Sequence, residues 1–239
     1  MAQPMKLSFT QDVSETSPAK RETLGALRIT ADGRKFRYAK AGPDALTAGA
    51  LGLAPAAVAA HQNLAASPAA VGDRVLSLTV GQAAVAENAY EDGYLQVADA
   101  DGKGRQCRIL SNTACAAGGT VVLTLAEPLR AALTADSKVS LVPSPWAGVA
   151  ASATEENLPA GVSPCDVPAG HYFFAQTGGV ACCLASGTAP IGSMLVPGAA
   201  AGSLAAMNAA LDTDQPVAGV AFAAAFTSGH CQPCFLTLD

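Results

Sequence analysis

At 239 residues and a formal net charge of −5, the chain has room for one large domain or two small ones and carries the wrong sign for a general nucleic-acid binder. Half of its residues are hydrophobic, but alanine supplies the largest part and aromatics only 5%, so each element buries modest area. The charged share of 14% is well below the ~25% of an average soluble domain, which implies a surface that is partly covered in use.

Met1–Arg21 is expected to be an extended arm, because Ser14, Thr16, Ser17 and Pro18 resist regular structure and no apolar period is present. Leu24–Lys40 predicts a β-hairpin: Leu27 and Ile29, then Phe36 and Tyr38, alternate about Asp32-Gly33, a turn dipeptide that accepts positive φ. The alanine-rich Ala45–Ala60 predicts one helix, kept short by Gly49, Gly52 and Pro55. Strand signals are strongest over Val71–Val142. Val75–Val80 forms one run. Tyr94–Val97 and Cys107–Leu110 flank the Asp101-Gly102-Lys103-Gly104 tip of a second hairpin. Thr120–Leu125 and Val139–Val142 follow. Pro143-Ser144-Pro145 marks a boundary, and Ala147–Gly161 predicts a small-residue linker or weak helix.

Beyond it, Tyr172–Ala175, Val180–Leu184, Met194–Val196, Val217–Phe226 and Cys234–Leu238 are strand candidates, with Gly202–Leu211 as a helix. The expected fold is therefore mainly β: an N-terminal arm and hairpin over residues 1–45, a β module over 46–143, a linker over 144–164 and a second β module over 165–239. Both modules are expected to be barrel- or sandwich-like with few short helices. Met1–Thr10 has no apolar core of a signal peptide, so the chain is expected to be cytosolic in origin and its seven cysteines unpaired. The uncharged Val167–Leu211 is broken too often by Gly, Pro, Gln and Thr to satisfy its backbone as a membrane helix.

Charge is segregated along the chain. Residues 1–40 hold eight basic and four acidic residues, and after Lys138 there are six acids and no Lys or Arg. This singles out Arg28, Arg34, Lys35, Arg37 and Lys40 as candidate contacts to an acidic partner or a neighbouring copy, against the plainer reading of a solvated strand face.

Sites that could carry chemistry are few. His230, Cys231 and Cys234 form a His-Cys-x-x-Cys cluster that could hold zinc, but no second pair stands at ligand spacing, and Pro233 with Phe235–Leu238 points to a turn entering a strand. Small buried or interface cysteines are the plainer reading. Adjacent Cys182 and Cys183 are expected to face opposite sides of a strand. His61, His171 and His230 are the only histidines, and no Gly-x-Ser-x-Gly elbow accompanies them. Asp99-Ala-Asp101-Gly102 lacks the later ligands of a calcium loop, and Gly102-Lys103-Gly104 lacks the frame of a phosphate loop. Glu155-Glu156 lie in an expected exposed linker. The expectation is a non-enzyme with no cofactor.

Asp32–Gly42 (DGRKFRYAKAG), followed by an Ala/Leu/Gly-rich segment and Ala60-His-Gln-Asn-Leu64, resembles the N-terminal half of tailed-bacteriophage capsid cement or decoration proteins. The likeness continues through Val71–Val80, Tyr90–Leu95, Gly104–Ile109, Leu123–Leu129, Gly192–Pro197, Pro216–Ala221 and Phe235–Asp239. It covers most of the chain at the level of pattern, without a catalytic signature, and the Cys231…Cys234 cluster is not part of it. The resemblance implies a virion protein on the outer capsid surface, assembled in the host cytoplasm. It implies the major capsid protein as partner, a dimer or trimer of the chain, and no direct contact with nucleic acid or membrane. Alternatives are a head-fibre base or tail component, or a zinc-binding β module.

Overall fold

The computed structural model describes residues 9–151, 157–208, 215–223 and 228–239. Its strands, in chain order, are β1 (Leu27–Ile29), β2 (Lys35–Ala41), β3 (Leu51–Leu53), β4 (Leu64–Ala65), β5 (Val75–Thr79), β6 (Tyr94–Asp99), β7 (Gln106–Asn112), β8 (Thr120–Leu125), β9 (Lys138–Val142), β10 (Ala147–Val149), β11 (Pro159–Val162), β12 (Tyr172–Leu184), β13 (Met194–Pro197), β14 (Leu204–Ala206), β15 (Gly219–Ala221) and β16 (Cys231–Thr237). The one helical element among the described residues is a three-residue 3-10 turn, Ala59–His61. The mainly β class is therefore as the sequence predicts.

The chain divides into two compact units, Met1–Pro55 with Pro145–Asp239, and Ala56–Ser144. This differs from the four consecutive segments expected. The N-terminal hairpin is not a separate piece, because β2 pairs with β12 over Lys35–Lys40 and so belongs to the C-terminal sheet. The expected linker carries two strands, β10 on β2 and β11 on β3 and β12, while Glu155-Glu156 lie outside the described residues.

In Ala56–Ser144 the strands run in the order β4-β9-β6-β7-β8-β5, all antiparallel, and an Ala66–Leu78 bridge beside β4 brings the last strand back to the first. The sheet is thus nearly closed into a six-stranded barrel. Strict alternation fills it: Leu76 and Leu78, Leu95 and Val97, Val121, Leu123 and Leu125, and Val139 and Leu141 point inward and are buried. The hairpin tip predicted at Asp101–Gly104 joins β6 to β7. Gly102 and Gly104 take φ of +82° and +78° there, a conformation a side chain would strain. Asp99 pairs with Lys103 at 3.2 Å across it, so these residues build a turn.

The other unit is organised on β12, whose first half is buried on both faces. Phe174 meets Phe36 and Tyr38 on one face, while Phe173 and Ala175 join Ala39, Ala41, Leu46, Val149 and Val167 on the other. The expected free arm is, over its described part, a cover for the first of these faces. Phe9 meets the Phe174 ring edge-on at 5.3 Å, and Val13 and Leu24 pack beside it. Ser17 pairs with Tyr172 through main-chain bonds of 2.8 and 2.9 Å, and the buried Gln11 accepts from the Tyr38 hydroxyl at 3.2 Å. The aromatic cluster leaves a surface that local sequence must shield from water, and residues 9–21 supply part of the shield; residues 1–8 of the expected arm lie outside the described residues.

Two helix expectations fail for a shared reason. Over Ala45–Ala60, Gly49 adopts φ +81° and Leu51–Leu53 pair with β11, so the alanine-rich run is used as buried, closely approached strand. At Gly52 a Cβ would stand 2.2 Å from Val149 Cγ1, a spacing that only glycine permits. Over Gly202–Leu211, Leu204–Ala206 pair with β13, and residues 209–211 lie outside the described residues. In both stretches tertiary pairing overrides the helix preference of alanine.

Candidate interaction surface

Four strands at one end of the larger sheet, in the order β12-β16-β15-β13, set an unbroken row of apolar side chains on their outer face. Val180 stands directly opposite Phe235, Phe235 opposite Val220, and Val220 opposite Met194. Directly opposed residues of antiparallel strands share a face, so the four side chains form one strip. Val180 is 44% exposed, Phe235 45% and Met194 56%, while Val220 is half-buried between them. Cys182 and Pro233, the next opposed pair, are also exposed, and so is Phe222, which follows β15 and donates its amide to Pro233 at 3.2 Å. None of the four strands contains a charged residue.

The inner face of the same strands carries Ala181, Cys183, Leu195, Ala221, Cys234 and Leu236, all buried. An antiparallel sheet with one packed face ordinarily alternates apolar inside with polar outside. Here both faces are apolar. Sequence reasoning located these strands but missed the surface, because it depends on the register of three pairings, the longest joining Val180 to Phe235. The signal was the absence of charge on either alternate position of each strand.

The basic residues singled out from the sequence lie on β1, on β2 and in the turn between them, beside β12 in the same sheet, and each engages its own chain. Arg28 donates to the Gln11 carbonyl at 2.6 Å and lies 5.5 Å from the centre of the Phe174 ring. Arg34 pairs with Asp32 at 2.7 Å. Hydrogen bonds from Thr30 and then Arg34 lower the Asp32 carboxyl to about 2. Lys40 sits 5.5 Å over the Tyr172 ring.

Arg37 and Lys35 both reach Asp239. Arg37 Nε and Nη2 donate to the two carboxylate oxygens, each at 2.8 Å, and Lys35 Nζ donates to the Asp239 main-chain oxygen at 3.1 Å. The Thr177 hydroxyl adds a bond of 2.7 Å to the same carboxylate, and the Arg37 guanidinium lies 5.3 Å from the Trp146 ring. Arg37 first, and Thr177 after it, hold the Asp239 carboxyl below its usual 3.8. Much of the basic charge of the leader is therefore matched by carboxylates and rings of this chain.

The His-Cys-x-x-Cys cluster lies along β16. Alternation there exposes Cys231 and buries Cys234 on opposite faces, and His230 precedes the strand, exposed. The three residues do not converge, and among the described residues no group of three His, Cys, Asp or Glu side chains could hold a metal ion. The register instead joins the cysteines of β16 to those of β12. Cys183 and Cys234 are diagonal neighbours on the buried face, and Cys182 and Cys231 on the exposed face; the Cys231 thiol donates to the Ala48 carbonyl at 3.8 Å and the Cys234 thiol to the Gln232 carbonyl at 3.6 Å. Cys183 is pushed up by the neighbouring Cys234 and by burial, while Cys183 in turn lowers Cys234.

His61 is a satisfied core histidine: Nδ1 lies 2.6 Å from the Tyr90 hydroxyl and Nε2 lies 3.1 Å from the Ala83 carbonyl. That carbonyl can only accept, so Nε2 carries the proton and, in the neutral ring, Nδ1 accepts from Tyr90.

No family model, curated protein or solved structure matches this chain.

Proposed function

We propose that this chain is a structural protein whose work is surface contact, assembled in multiple copies through the uncharged face of β12, β16, β15 and β13. Within that class we propose a cement or decoration protein on the outer surface of a tailed-phage head, bound to the major capsid protein. The observation that carries the reading is the Val180–Phe235–Val220–Met194 row. An apolar strip across four strands is costly to leave in water, at about 25 cal/mol per Å² of covered surface.

The occupant that suits it is a second copy of the same chain. The formal net charge of −5 sets copies against each other over most orientations, and an uncharged face is where two identical surfaces approach without like charges meeting. The sequence resemblance to capsid decoration proteins supports the finer assignment. Repetition of such an oligomer over a symmetric shell multiplies weak single contacts. The five basic residues enter this reading as fold-stabilising groups, and the contact role passes to the apolar face.

The test is cosedimentation of the purified chain with undecorated tailed-phage heads. Saturable retention at a fixed ratio to the capsid protein is the expected result. Absence of retention on heads, with the chain folded, would overturn the capsid assignment.

A further inference from the structure

We infer that Cys182 and Cys231 form an oxidation site, closing a reversible disulfide across the outer face of the β12–β16 ladder when a small disulfide such as oxidised glutathione is supplied. This inference does not need the capsid assignment, but Cys182 borders the apolar strip, so the site is open in the unassembled chain and is tested there.

Register carries the argument. Cys182 stands opposite Pro233 and Leu184 opposite Cys231, so the two cysteines are diagonal partners on the exposed face. Diagonal positions of an antiparallel pair lie about 7–8 Å apart at Cα, somewhat less at Cβ. That is just beyond the usual disulfide span of about 4.4–6.8 Å, so the bond requires a local backbone shift. A small approach of the strands closes the bond, and the same limit leaves it open to reduction by a thiol.

The surroundings give an oxidant access, although burial and the neighbouring Cys231 push the Cys182 thiol up. Cys231 Sγ lies 3.8 Å from the Ala48 carbonyl. It fills the space a side chain at residue 49 would take, since a Cβ on Gly49 would stand 2.6 Å from the sulfur. Both thiols line a cleft of about 310 Å³, open to solvent, with Arg34 on its wall. The inner pair, Cys183 and Cys234, is fully buried on the same two strands, where no such oxidant reaches it.

The chemistry is two successive thiol–disulfide exchanges. One protein thiolate attacks a sulfur of the oxidised glutathione, forming a mixed disulfide and releasing one glutathione thiolate. The second protein thiolate attacks the protein sulfur of that bond and releases the other. Two protein thiols are oxidised, one glutathione disulfide is reduced, and the two thiol protons end on the released glutathiones.

The experiment exposes the reduced full chain to oxidised glutathione, then traps free thiols under denaturing conditions and measures intact mass. The expected result is loss of two of the seven thiols with a mass decrease of about 2 Da, reversed by excess reduced glutathione. A C183S/C234S variant is expected to behave identically, whereas C182S and C231S each lose the intrachain bond. Circular dichroism verifies that each variant is folded. The inference is overturned if C182S and C231S oxidise as the native chain does, if only C183S/C234S blocks the bond, or if the products are only glutathione adducts or linked dimers.

Discussion

Removing the Arg37–Asp239 clamp isolates the role of the basic leader. The guanidinium makes two parallel 2.8 Å bonds to the carboxylate and a third, of 2.9 Å, to the Gly25 carbonyl. The two side chains keep 24% and 19% of their exposure, between a surface pair and a buried one. Exposed pairs contribute about 0.2–1 kcal/mol, and hydrogen bonds to charged groups about 1.5–3 kcal/mol. A coupling of about 1–2 kcal/mol is therefore expected from a double-mutant cycle of Arg37→Ala and Asp239→Asn.

At about 2–4 °C per kcal/mol for a chain of this size, the coupling corresponds to roughly 2–8 °C in the melting midpoint of the unit that contains the clamp. Because the folded Asp239 pKa is lowered, the contribution is complete above the ordinary carboxylate value of 3.8 and is lost as pH falls through the folded value. Urea unfolding of the four proteins at pH 7 measures it. A coupling below about 0.3 kcal/mol at low salt would refute the assignment of Arg37 to the fold and return it to the surface as a contact residue.

Other outcomes follow from the same physical reasoning. Leu123 is fully buried in the barrel, and Leu123→Ala is expected to cost about 2–5 kcal/mol by denaturant unfolding; a cost under 1 kcal/mol would mean that the barrel is not packed as described. Gly219→Ala would put a Cβ 2.2 Å from the Phe235 carbonyl oxygen, so the β15–β16 edge must shift and thermal stability must fall. Burial raises Tyr90 to about 12, against 10 for the unfolded chain. The stability this group supplies is complete below pH 10 and declines as pH rises towards 12, by roughly 2–3 kcal/mol in all. Tyrosinate absorbance at 295 nm checks this assignment: Tyr90→Phe should remove a late-ionising component, and an unchanged titration would contradict it.

The barrel was legible because its strands obey the period of two and its turns carry glycine at the positions that need positive φ, as at Gly102 and Gly104. The hairpin about Asp32-Gly33 was legible for the same reason, with Gly33 at φ +83°. What sequence could not supply was partnership between distant segments. Nothing local to Lys35–Ala41 says that β12 is its neighbour, so the hairpin read as part of a separate N-terminal segment when it belongs to the sheet of the C-terminal strands. Alanine misled in the same way, since Ala45–Ala60 read as a helix while its Ala50 and Ala54 are buried on either side of the β3 strand. The apolar outer row and the two cysteine pairs were both hidden until β12 and β16 stood in register.

The most direct measurement of the central claim is light scattering on the purified chain beside Phe235→Lys, at equal concentration and under reducing conditions. Phe235 lies mid-row and its side chain is exposed, so a lysine there leaves the inner core untouched while placing charge in the strip. The account predicts that the native chain has the mass of a dimer or trimer and that the variant, equally folded by circular dichroism, runs as a 23.8 kDa monomer. A native chain that is monomeric at high concentration, or a variant that associates as well as the native chain, would contradict it.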